Sequence, residues 1–312
     1  MPTDHLTITP TTDTVLRVLT GAPLDVVAAD TGVDPADLAD AVDAYHAAGE
    51  AALQQRTSDH WYQVRVEFTD WNTAEHLVAA HLGPQLDAIG DWWFLRKHPC
   101  WRLRFAHPRI AAVNDVLNEL VTDGAATRWW PSIYEPETAA FGGPAGMQAV
   151  HELFVRDSRG VLDYLRRPSP PLGPRELSLL LLGGLLHAAG LDWFERGDTF
   201  AKVALMRPTT DTDPPRIAAL ASDVRGLLAV APDADNTLFG PEGAAPFAAP
   251  WHTAHTTAGR ELAAAAAAGT LNRGLRAVAS HIVIFHWNRL GLPATTQGIL
   301  ARAAHEAFLP RS

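Results

Sequence analysis

Two arginines placed two residues apart, Arg102 and Arg104 in Pro99-Cys100-Trp101-Arg102-Leu103-Arg104-Phe105, are the clearest candidates for chemistry in this chain of 312 residues. On a strand they share one face, about 7 Å apart, while Trp101, Leu103 and Phe105 enter a core on the other. Paired guanidiniums suit a carboxylate or an ester. The plainer reading of the same alternation is a solvated polar face on a half-buried strand. Two further stretches carry polar groups next to turns, Tyr134-Glu135-Pro136-Glu137 and Phe141-Gly142-Gly143-Pro144.

The elements that must position these groups read as an α+β chain. Three short helices are predicted at the start, over 15–19, 24–31 and 35–48, with Asp34 capping the third, the outline of a helix-turn-helix. Yet no Lys or Arg occurs from Gly21 to Glu50, and Asp37, Asp40 and Asp43 would be repelled by phosphate, so the unit reads as an appendage or a dock for a partner. The formal charge of −10 likewise argues against nucleic-acid binding. Residues 61–68 alternate as a strand, a helix follows to Leu86, and 91–97 with 101–106 form a hairpin around His98-Pro99. A helix over 110–123, an edge strand over 128–134 and a long helix over 144–167 complete the middle. Pro168 to Pro174 forms a joint, beyond which helices are predicted over 175–189, 193–206, 216–228, 251–269 and 271–288. The expected organisation is a helical appendage (1–58), a mixed α+β unit (59–167) and a helical unit (168–312). Two proline-rich loops, 207–215 and 232–250, would overhang a cleft.

A single cysteine excludes an internal disulfide, and neither a secretory signal nor an apolar run long enough for a bilayer is visible, so a cytoplasmic location is expected. His252 and His255 have metal-like spacing but no evident third ligand. His151, Asp157 and Ser158 share a helix without a nucleophile elbow, and Asp157 and Ser158 read as local helix hydrogen-bonders. No phosphate loop appears, and the ten tryptophans read mainly as core.

In series, Trp61-Tyr62, Trp93-Phe94-Leu95-Arg96, Trp101 to Phe105, Tyr134 to Glu137, Phe141-Gly142-Gly143, Leu153-Phe154 with Asp157-Ser158, and His286-Trp287-Asn288-Arg289-Leu290-Gly291 resemble the thiopeptide-type bacteriocin biosynthesis family. Its members are stand-alone relatives of the C-terminal domain of lantibiotic dehydratases, and the resemblance covers roughly residues 59 to 310. It implies an enzyme that needs no cofactor and no metal. That enzyme would eliminate glutamate from glutamylated Ser or Thr of a precursor peptide, beside a larger glutamylating subunit, without direct nucleic-acid or membrane contact and with a homodimer as one assembly. It also implies two alternatives, a formal [4+2] cycloaddition that builds a pyridine, and a subunit that only docks the peptide. Carried over by motif, Arg102 and Arg104 would bind the glutamyl group, Glu137 would orient an arginine or an amine, and His286 would transfer the proton. Trp101, Tyr134, Asn288 and Arg289 would face the peptide. Ala140 stands where many eliminases of the family have arginine, and Ile284 where the first helix histidine often falls.

Overall fold

Thr11 opens the first helix, its hydroxyl and that of Thr14 each closing on the other's backbone. The computed structural model describes residues 9–58, 61–209, 213–229 and 238–309, in two units, 1–59 and 60–312. The expectations for residues 1–8, and part of those for the two proline-rich loops, lie outside the described residues. In the first unit α1 (Thr12–Leu19), α2 (Leu24–Thr31) and α3 (Pro35–Ser58) enclose Val15, Val27, Ala28, Val33 and Leu38. Gly32, at φ 70°, turns α2 toward α3. α3 runs ten residues past the expected Ala48, because the good helix formers after Gly49 outweigh the cost of one glycine.

The second unit begins with β1 (Trp61–Phe68), then α4 (Ala74–Leu77), a π turn (Val78–Leu82) and α5 (Gly83–Asp87), β2 (Trp92–Lys97), β3 (Cys100–Ala106), α6 (Ile110–Thr122) and β4 (Ala126–Ser132). The single helix expected here is interrupted because Pro84 has no N–H to give the preceding turn, and the chain widens just ahead of it. The four strands are antiparallel in the order β2-β3-β1-β4. With one helix after β1 and another after β3, this is the split βαββαβ, ferredoxin-like arrangement. One face of the sheet, including Val64, Val66, Phe94, Trp101, Leu103 and Phe105, packs against the connecting helices through Val78, Leu82, Val113 and Leu117.

The remaining helices are α7 (Pro144–Leu165), α8 (Pro174–Ala188), α9 (Trp193–Met206), α10 (Pro214–Leu228), α11 (Ala249–Ala267), α12 (Leu275–Arg289) and α13 (Ala294–Phe308). The sequence reading has no counterpart to α13. Pro168 to Pro174 is a turn inside the second unit, since α7, α8, α9, α12 and α13 share one core with Trp93, Leu95 and Tyr134. α7 and α11 meet closely enough that a Cβ on Gly160 would lie 2.3 Å from the Trp251 indole. Among the described residues no helix is long and apolar enough to cross a membrane.

Candidate active site

The alternation of β3 places Arg104 on the face that the sequence reading takes as wet, but α7 and α12 cover this end of it and the side chain is only 2% exposed. Its strand neighbours are Trp93 on β2 and Gln63 on β1. Nε donates to Gln63 Oε1 at 2.6 Å, and Gln63 Nε2 is itself fixed by Ser132 Oγ and the Ile133 carbonyl, each at 2.8 Å. The guanidinium carbon lies 4.2 Å from the Trp93 ring centre and 4.5 Å from that of Tyr134. Its salt-bridge partner is Glu137, Oε1 at 3.8 Å from Nη2, too long for a hydrogen bond. Nη1 and Glu137 Oε2 are both buried without partners among the described residues. Burial, opposed by Tyr134 and Glu137 and reinforced by Arg102 and Arg289, pulls Arg104 down to about 10. At neutral pH it is still a cation, held in a dry site by a neutral amide and two rings, with its nearest charge incompletely engaged.

Beside it, Tyr134 Oη lies 2.6 Å from His151 Nε2. Burial, then Arg104, holds His151 down at about 4, so the imidazole is neutral near pH 7 and accepts the Tyr134 proton in this bond. Burial pushes the Tyr134 phenol well above its ordinary value, with Arg104 opposing. Trp61 lies against His151, ring centres 4.5 Å apart, and meets Trp93 and Tyr134 edge-on.

A second buried ionic cluster forms where α7, α11 and α12 meet. Asp157 accepts from Arg289 Nε at 2.6 Å, His286 Nδ1 at 2.8 Å and Trp251 Nε1 at 2.7 Å. Burial raises the Asp157 carboxyl, but His286 and Arg289 outweigh it and leave the group far below the ordinary carboxylate range. His255, held down at about 4 chiefly by burial, has Nε2 3.9 Å from the same carboxylate. Asp157, His255 and His286 are close enough to hold a metal ion. Arg289 already supplies the positive charge that a cation would bring and Asp157 has three donors, so these residues fit an ion pair better than a metal. Next to Asp157, Ser158 Oγ accepts from the Phe94 N–H of β2 at 3.2 Å. Both residues therefore tie α7 to other elements, where the sequence reading has them bonding locally.

The structure brings together Arg104, Glu137 and Tyr134, with Arg102 two positions along β3 and half-buried. It separates the others. Trp101 is 1% exposed on the opposite sheet face, against Phe68, Phe94 and Arg96, and has no surface for a peptide. His286 is sealed, and its contacts are Asp157, His255 and Trp251. The imidazole beside Arg104 is His151. Arg289 is also wholly buried, its guanidinium 5.8 Å from the Trp93 ring centre. Asn288 accepts from Gln297 of α13. His151 was legible as a polar residue on an apolar helix stripe; Gln63 has no signal short of the register.

The family model for the lantibiotic biosynthesis dehydratase C-terminal region matches residues 61–308, most of the chain and all of the site. The chain belongs to that family. Among solved structures, this family member is similar to the tRNA-dependent lantibiotic dehydratase MibB from Microbispora sp. 107891, with a TM-score of 0.58 and 17% identity over 79% of the present chain. That match covers 28% of MibB, so the chain spans less than a third of the length of that relative. No curated protein matches it.

Proposed function

We propose that this lantibiotic dehydratase C-terminal family member releases glutamate from glutamylated Ser or Thr side chains of a precursor peptide, leaving dehydroalanine or dehydrobutyrine. A larger glutamylating subunit would supply the ester, in keeping with the greater length of MibB. The observation that carries this reading is Arg104, a buried cation with Nη1 unpartnered. A carboxylate that becomes an anion as it leaves would gain most from such a donor, because the dry site strengthens the interaction as charge develops. Arg102 adds a second donor from the same strand, and Glu137 keeps Arg104 turned toward the site. The α-proton passes to the Tyr134 oxygen while that oxygen's own proton passes to His151 Nε2. The C–H electron pair becomes the second Cα–Cβ bond, and the Cβ–O bond breaks with its pair staying on the glutamate carboxylate.

A second reading, pyridine formation by cycloaddition of two dehydroalanines, is favoured by Ala140 and Ile284, where many eliminases of the family have arginine and histidine. The test is to incubate purified protein with a synthetic glutamyl-Ser peptide and follow its mass. Loss of glutamate that falls about 100- to 1000-fold in Arg104→Met supports elimination. An unchanged ester, with conversion only of a dehydroalanine-rich thiazolyl peptide, overturns it in favour of cycloaddition. Tight binding of the peptide with neither reaction points to a docking subunit.

A further inference from the structure

Beyond Arg104 the same sheet face continues over β1, β3 and β4, and its composition is unlike the rest of this acidic chain. Arg65 lies directly opposite Arg102 on one side and Trp130 on the other, and Glu67 lies opposite Arg128. Directly paired residues share a face, so Arg65, Arg102, Arg128 and Trp130 form one surface running into the Arg104 site. Two like charges placed opposite each other repel unless an anion lies between them. The carboxylate present, Glu67, is engaged with Arg128 at 2.8 Å, and Arg128 also lies over Trp130. Arg65 Nε is buried without a partner among the described residues. Cys100, at the start of β3 beside this surface, feels all of them: burial and Glu67 push its thiol up while Arg65, Arg128 and Arg102 pull it down.

We infer that this face is a docking surface for an extended, acidic segment of the peptide substrate, which it guides toward Arg104. Alternate side chains of an extended peptide repeat about every 7 Å, as do same-face residues of β1 and β3, so carboxylates at every second position meet the arginines in register. Trp130 offers a flat apolar rest between them. A peptide suits the surface better than a nucleic acid, because the patch is small and the chain carries a formal charge of −10, a field that opposes a long polyphosphate. The inference rests on the peptide substrate of the reading above, but its readout is binding rather than elimination.

The experiment measures fluorescence anisotropy of a labelled twelve-residue peptide with Glu at alternate positions against the same peptide with Gln, using the whole chain. The expected result is binding about tenfold tighter for the Glu peptide at low salt, with that preference shrinking as salt rises. Arg128→Gln, at a side chain 66% exposed, should remove about threefold of the preference without altering the melting temperature. Arg65→Gln combined with Arg128→Gln should remove most of it. Release of glutamate from a short glutamyl-Ser ester without acidic neighbours should be unchanged in Arg128→Gln, which separates loss of docking from loss of chemistry. Equal binding of the two peptides, a preference untouched by Arg128→Gln, or tighter competition by single-stranded RNA of similar length would overturn the inference.

Discussion

Arg104 and Arg289 are both buried guanidiniums that lie against Trp93, yet they are balanced in opposite ways. Arg289 bonds a carboxylate at 2.6 Å that two other side-chain donors also hold. Arg104 has an amide, two aromatic faces and a carboxylate 3.8 Å away. The lesson is that burial alone does not mark an arginine as functional. What separates the two is how much charge the protein has left for something else to complete. Among the described residues both keep Nη donors without partners, Nη1 and Nη2 on Arg289 and Nη1 on Arg104, so the difference lies in the charge. Arg289 has its carboxylate at hydrogen-bond distance and is matched from within, whereas the carboxylate nearest Arg104 stands 3.8 Å off, which suits Arg104 to the ligand role proposed for it.

The sharpest way to break this contrast is to remove the matched charge. Asp157→Asn leaves Arg289 buried without its counterion and should lower unfolding free energy by about 3 to 5 kcal/mol, measured by chemical denaturation. Arg104→Met, by contrast, should change it by no more than about 1 kcal/mol, since the charge removed was poorly paired. A comparable loss for both substitutions would erase the distinction between the two sites.

Acidification sharpens the comparison next. His151 and His255 both have folded values near 4, below their ordinary 6.5. The unfolded chain therefore binds more protons between those limits, so stability is full above about pH 6.5 and falls as pH drops toward 4, by on the order of 3 kcal/mol for each imidazole. Asp157 is lowered as well, but in an acid that favours the charged form, so its contribution holds until pH falls below its ordinary 3.8. Denaturation curves across this range should show the decline, and His255→Leu should flatten its upper part. The smallest expected effect belongs to Glu137→Gln. Removing the carboxylate that competes for Arg104 should tighten inhibition by free glutamate by about fivefold or less.

Much of the frame was legible because local rules and tertiary demands agree there. The period-two pattern of Trp61 to Phe68, the hairpin around His98-Pro99 and the capped helices all follow from residue type and spacing. The site was only partly legible. Alternation placed Arg102 and Arg104 on the correct side of β3, but whether that side meets water depends on α7 and α12, which come from far along the chain. His286 sits in the matched motif, yet its role is set by Asp157, 129 residues away. A signal for that pairing was present and unread. Asp157 falls on the apolar stripe of α7 formed by Val150, Leu153, Phe154 and Val161, all buried. A carboxylate on such a stripe requires a cationic partner, and His286 and Arg289, one turn apart on α12, are placed to provide it. The last helix carries a weak signal in the sequence because Thr295, Thr296 and Gly298 dilute its apolar repeat.

The absence of a side chain at Gly160 reaches beyond packing into how this sequence can drift. Where a Cβ would stand, Trp251 lays its indole and sends its N–H to Asp157. A single methyl group there displaces the ring, and the ring takes a donor from the carboxylate that neutralises Arg289. Descendants of this chain are therefore free to vary Gly183, which has open space around it, but can change Gly160 only after the tryptophan has already been replaced, so the order in which substitutions become accessible is written into that one contact.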